Sequence, residues 1–302
     1  MRPYHNQDFI KVRDFLVDSY AHFQRPYNWT LERWNFSISA ARIMNGISLQ
    51  VWESQIAIWE RDQAIVAVVN AEGEADGEAF FQMAHEHLPD DMLQEMFAFC
   101  EARLGKQKDG KRDIYLRIPQ GNSRIEQIAT SRNYSKLPGI EPVSELRLEH
   151  EFSVKLPKGF SFAYGDDVTH DDKGKAHARA FGYEEEPVYR ERSTIAFEHM
   201  SQTPDYRADL SIHVMSPDDE IAAFATMWHD QRNQIGMLEP VGTVPRYRKM
   251  GLGKAAILQL VNQVQRQGVS RVYVGSGQDF YLRLGFRASD LYGVWTKQVK
   301  DS

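Results

Sequence analysis

Apolar residues recur along this chain in two rhythms, one fitting helices and one fitting strands. Between Asp8 and Phe23, the residues Phe9, Val12, Phe15, Leu16 and Tyr20 fall at helical intervals, which predicts a helix with one buried face. Trp29 to Met44, with Trp34, Ile38 and Ala41 on one side, predicts a second. From Val51 to Asn70 the rhythm becomes that of strands: Ile56-Ala57-Ile58-Trp59 and Ala64 to Val69 flank a turn at Glu60-Arg61-Asp62. Ala79 to Met83 predicts a third strand, Asp90 to Leu104 an amphipathic helix, Asp113 to Ile118 a strand and Arg124 to Arg132 a short helix.

The second half repeats that order. Phe160 to Ala163 predicts a strand, and Asp172 to Phe181 and Val188 to Met200 predict helices. Leu210 to Val214 and Ile221 to Trp228 form a hairpin across Ser216-Pro217-Asp218-Asp219. A strand at Ile235, a glycine-containing loop, a helix to about Gln267, a strand at Val272-Tyr273-Val274 and a helix at Tyr281 follow. The order βααβββαβα occurs twice, and aligning Asn133-Tyr134 with Gly285-Phe286 gives an offset of 152 residues, about half the chain. An internal duplication accounts for this economically. It predicts an α/β protein of the α+β type with two tandem domains, 1–152 and 153–302, each a mixed, mostly antiparallel sheet flanked by helices. The boundary is expected near Pro157-Lys158-Gly159, with Leu146 to Phe152 a candidate strand closing the first sheet.

Composition narrows the class. At 302 residues, 42% hydrophobic and 12% aromatic, the chain can bury the core of two ordinary domains. A single cysteine, Cys100, excludes an intramolecular disulfide framework. No run of 18 apolar residues and no signal segment is present, so a cytoplasmic location without membrane attachment is the expectation. A formal charge of -6 argues against nucleic acid as a partner and for a small one, cationic if charged.

Candidate chemistry concentrates in Gln234 to Ala256, which reads as strand, loop and first helical turn. Gly251 and Gly253 allow a ligand close to the backbone, and Arg248, Lys249 and Lys254 surround a helix N-terminus, an arrangement suited to phosphate. Spacing selects among nucleotide sites. A P-loop would need Gly at position 248 and Ser or Thr at 255, where Arg248 and Ala255 stand, and a dinucleotide fold lacks its later acidic residue. Arg248, Gly251 and Gly253 instead fill [RQ]-x-x-G-x-[GA] after the strand ending Val241-Gly242-Thr243. This resembles the acetyl-CoA signature of the GNAT superfamily of N-acetyltransferases. Tyr281 through Gly285-Phe286 matches that family's Y-x-x-x-G-F turn, in the order the resemblance requires.

The resemblance implies direct acetyl transfer from acetyl-CoA, a co-substrate, to the primary amine of a small-molecule or peptide acceptor in a ternary complex, with no metal. Val241 and neighbouring strand amides would bind the thioester carbonyl. Thr243, Arg248, Lys249, Met250, Gly251, Gly253 and Lys254 would line the pyrophosphate loop. Glu239, a carboxylate interrupting the apolar strand Ile235 to Val241, would take the amine proton, or else serve only a proline-induced bulge. Tyr281, a phenol, would protonate the departing thiolate, or else be core. A CoA-binding protein without turnover and a transferase for longer acyl groups remain alternatives.

The first copy has Leu88-Pro89-Asp90-Asp91 where the second has Met250-Gly251-Leu252-Gly253, and it lacks the tyrosine and glycine of the Y-x-x-x-G-F turn. It is expected to be a degenerate domain without a CoA site. His85-Glu86-His87 has too few companions for a metal, and Asp171-Asp172 fits a helix cap. Glu184-Glu185-Glu186, Trp228 and His229 are candidates for the border of an acceptor groove.

Overall fold

The structure, a computed structural model, describes residues 1–73 and 76–300. The first half runs β1 (Arg2–Pro3), α1 (Phe9–Phe23), α2 (Leu31–Phe36), a π-helical turn (Ser37–Ala41), α3 (Arg42–Met44) and α4 (Leu49–Ser54). It continues β2 (Ile56–Arg61), β3 (Ala64–Asn70), β4 (Glu78–Met83), α5 (Asp90–Arg103), β5 (Lys106–Lys108), β6 (Lys111–Pro119), α6 (Ser123–Ser131) and β7 (Ser135–Arg147). The second half runs β8 (Ser161–Tyr164), α7 (His170–Phe181), α8 (Pro187–Ser201), β9 (Ser211–Met215), β10 (Ile221–Asp230) and β11 (Ile235–Thr243). Then come α9 (Leu252–Gln265), β12 (Arg271–Val274), α10 (Asp279–Leu284) and β13 (Arg287–Lys300). The doubled order is therefore present, with an additional strand, β7 or β13, following each copy in sequence.

Three local expectations change. Trp29 to Met44 is helical from Leu31 to Met44, but a π turn at Ser37–Ala41 shifts the register in its middle. Val51 belongs to α4, where Ser48 caps the helix by accepting from the Val51 amide at 3.2 Å. Leu146 does not close the first sheet: residues 144–147 of β7 pair antiparallel with β12, in the second sheet.

The chain divides into two compact units, one made of residues 1–30, 47–143 and 288–302, the other of 31–46 and 144–287. This is not a single cut at 152/153. The physical reason at the C-terminus is β13, which pairs antiparallel with β6 from Tyr292↔Pro119 to Lys300↔Lys111.

The first unit orders its strands β1-β2-β3-β4-β6-β13. Its core joins Val69, Phe81 and Met83 to Met96, Phe97 and Cys100 of α5 and Ile125 and Ile128 of α6. In the second unit the order is β12-β11-β10-β9-β8. One face presents Ile212, Val214, Ala223, Ala225 and Met227 to Leu252, Ala256, Leu260 and Val264 of α9. Each large aliphatic residue buried there contributes on the order of 1.5–3 kcal/mol. On the other face Phe224 packs against Ala176 and Ala180 of α7. No helix among the described residues is long and apolar enough to cross a membrane.

Candidate active site

Strands β11 and β12 run parallel but pair only over Ile235↔Arg271, Gly236↔Val272 and Met237↔Tyr273. Beyond Met237, β11 continues to Thr243 with β10 alone beside it. The register against β10 slips between Leu238 and Val241, so that three steps of β11 face two of β10. Pro240 lies in that bulge and has no N–H to give to a ladder. The result is an edge of backbone groups at 238–243 that no strand among the described residues covers, and Val241 and Thr243 lie on it.

Glu239 stands at the bulge, half-buried, and its carbonyl accepts from Trp228 Nε1 at 2.7 Å. The expected structural bulge is present, with the carboxylate beside it. Tyr281, in α10, is 8% exposed and its ring meets Phe286 edge-on at 5.7 Å. Burial, and secondarily the charge of Glu239, push its phenol up to about 12. The structure thus brings Glu239 and Tyr281 within electrostatic reach of each other at the divergence of the strands. A phenol so held stays protonated at neutral pH, in the form that has a proton to give.

The loop after β11 tightens through a short helical turn at Pro245–Tyr247 and reaches α9 through Lys249 (φ 66°) and Gly251 (φ 80°), both left-handed. Gly251 occupies the N-cap with no side-chain cap, and a Cβ there would meet nothing within 4 Å. The first-turn amides of α9 have no side-chain cap, and the exposed Lys249, Met250 and Lys254 lie next to them in sequence. Gly253 is needed for another reason: a Cβ would approach Thr243 Oγ1 to 2.8 Å. Thr243 sits against the first turn of α9. An exposed helix end of this kind, with lysines beside it, suits an anionic group such as a phosphate.

Arg248 is placed in a way its sequence position did not suggest. Its guanidinium donates through Nε to the Thr243 carbonyl at 3.2 Å and through an Nη to the Ala180 carbonyl at 2.8 Å. Ala180 lies in the last turn of α7, where carbonyls lack helical partners and carry negative partial charge. Arg248 thereby fastens the loop to α7 and keeps further donors for an anion.

The remaining candidates separate. Asp172 takes part in the α7 cap, its amide donating to Thr169 Oγ1 at 3.1 Å. Glu184 pairs with Arg179 at 3.6 Å in the exposed α7–α8 connection. His229 is buried, and burial, then Arg207, hold its pKa down. Two features escaped sequence reasoning. Residues 31–46 belong to the second unit, where α2 rests on β10 and β11. In addition, β4 parts from β6 after Phe80↔Arg117, as β11 parts from β12 after Met237↔Tyr273. Two residues on, the first unit has Gln82 where the second has Glu239. The Gln82 amide is fully engaged, donating to Asn70 Oδ1 at 3.0 Å and accepting from the Trp29 amide at 2.8 Å. The first turn of α5 carries Asp90, paired with Arg124, and Asp91.

Residues 176–286 match the model of the acetyltransferase (GNAT) family. No curated protein matches the chain in sequence. Among solved structures, a tandem GNAT protein from the clavulanic acid biosynthesis pathway superposes with a TM-score of 0.66 at 13% identity, covering 100% of this chain and 98% of that one. A GCN5-related N-acetyltransferase from Sphaerobacter thermophilus gives 0.62 at 13% identity, covering 100% and 96%. At that identity the likeness is one of fold, and it extends over the whole tandem arrangement.

Proposed function

We propose that the chain, of which residues 176–286 match the model of the acetyltransferase (GNAT) family, transfers an acetyl group from acetyl-CoA to the primary amine of a small-molecule or peptide acceptor, in the cytoplasm. The observation that carries this reading is the parting of β11 from β12 after Met237, with Glu239 and Tyr281 at the opening and the uncapped end of α9 beside it. Backbone groups of 238–243 hold the thioester carbonyl as it gains charge. Glu239 removes a proton from the acceptor ammonium, directly or through water, and the amine attacks the carbonyl carbon. Tyr281 gives its proton to the sulfur as the C–S bond breaks.

The site belongs to the second copy. In the first, an amide engaged at both ends replaces the carboxylate, and acidic residues occupy the helix end. One active centre per chain follows. Purified protein mixed with acetyl-CoA and a panel of primary amines tests the reading. Thiol release that depends on the amine, with a mass increase of one acetyl group on it, supports the proposal. Release at the same slow rate with and without amine refutes it and favours a CoA-binding protein without turnover.

A further inference from the structure

Strand β11 changes its support halfway along. Up to Met237 it is held by β10 on one side and β12 on the other, and beyond Met237, among the described residues, by β10 alone. Glu239 and Pro240 then stand in the bulge, between the ladder pairs Met227↔Leu238 and Ala225↔Val241. Thr226 lies opposite that bulge on β10, but its hydroxyl is 3.2 Å from that of Ser211 on β9, the strand on the far side of β10. Trp228, two residues along, does reach across. Its side chain is 1% exposed, and its Nε1 donates to the Glu239 carbonyl at 2.7 Å. The half-buried Tyr206 meets the indole edge-on at 6.2 Å and restrains its tilt.

An indole N–H can only donate, and its ring turns about two torsions, so a buried tryptophan is a stiff strut with one hydrogen bond to give. Given to a main-chain carbonyl, that bond fixes the ψ angle of the residue that owns it. The pair Met227↔Leu238 holds the chain just before Glu239, and the Trp228 bond holds it just after the Glu239 Cα. The direction of the Cα–Cβ bond, and with it the origin of the carboxylate, is then set from both sides. We propose that Trp228 is a positioning residue for the base: it holds the bulge in the conformation that keeps the Glu239 carboxylate at the opening between β11 and β12, and acts on the reaction only through Glu239. This role rests on the acyl-transfer reading of the same site.

The test is a double-mutant cycle on the full chain, read with acetyl-CoA and the best amine of the panel. Trp228→Phe should lower kcat about tenfold, the scale of one hydrogen bond, with CoA affinity by calorimetry within about twofold of the original. In a Glu239→Gln background the same substitution should change kcat by less than about twofold, because the strut has no base left to aim. Benzothienylalanine in place of Trp228 puts sulfur where the N–H was, in a ring of nearly the same shape. It should reproduce the loss with the melting temperature unchanged, and, run in both backgrounds, it decides the question even where Trp228→Phe does not fold. Full activity with the sulfur ring, or the same loss in both backgrounds, overturns the positioning role and leaves Glu239 as the base. Glu239→Gln within about threefold of the original kcat removes the base, and no turnover with any amine removes acyl transfer; each of these takes the proposal with it.

Discussion

Acid should loosen the second unit through His177, which is partly buried, and His213, which is buried. His177 of α7 lies among the rings of Phe181, Phe197 and Phe224, with Nδ1 bonded to the Tyr183 hydroxyl, and burial pushes its pKa from 6.5 down to about 4. His213 of β9 is pushed down to about 3, by burial and then by Lys173. Both are neutral in the folded chain at neutral pH. The unfolded chain takes up protons near 6.5 and the folded chain only near 4 and 3, so the stability these groups allow is fully present above 6.5. It is lost as the pH falls towards those lower values. Between about pH 7.5 and pH 5, linkage makes the cost about 2 kcal/mol for each histidine. His177→Leu removes one of the two. Hydrogen exchange at β10 amides, corrected for intrinsic rates, reads the difference directly. Exchange in the original protein should accelerate between those pH values by about thirtyfold more than in the variant, the equivalent of that 2 kcal/mol. Any pH-independent packing loss in the variant cancels, because each protein is compared with itself. Equal acceleration in the two would show that His177 titrates normally and that the reasoning from its burial is wrong.

Arg248→Ala should weaken CoA binding by about 1.5–3 kcal/mol, the value of charge-assisted hydrogen bonds to an anion, without unfolding the chain, and calorimetry measures this. Arg248→Lys should recover little, since one ammonium cannot span the Thr243 and Ala180 carbonyls and a phosphate together. Tyr281→Phe should lower kcat by about 10²-fold with KM for acetyl-CoA nearly constant, and Glu239→Gln should act mainly on the acid limb of the pH–rate profile. Changes under about threefold in both would remove the acid–base assignment. CoA should titrate to one site per chain, and two sites would contradict the degenerate first copy.

The stretch from Ile235 to Phe286 was legible in the sequence because its signals are local. Glycines at 251 and 253, prolines at 240 and 245 and the helical run after Leu252 each act on neighbouring backbone, and the structure has the strand, bulge, loop and helix they imply. What depends on distant partners was not legible. A strand such as 144–147 shows the same apolar alternation whichever sheet accepts it, so its pairing with β12 carries no local mark. Nothing in the neighbourhood of Arg248 points to the Ala180 carbonyl 68 residues earlier. Gln82 looked like an ordinary strand residue until the registers of β4 and β11 set it opposite Glu239 in role.

The pairing of β13 with β6 bears on how the protein is made. During synthesis the first 143 residues leave the ribosome with the edge of β6 bare, and the strand that covers it ends at Lys300. The N-terminal unit therefore cannot be completed before β13 has been synthesised, and until then its open edge is a place where nascent chains can join one another. A gene cut between the halves should yield two insoluble products, whereas co-expressing the two pieces should restore solubility to both.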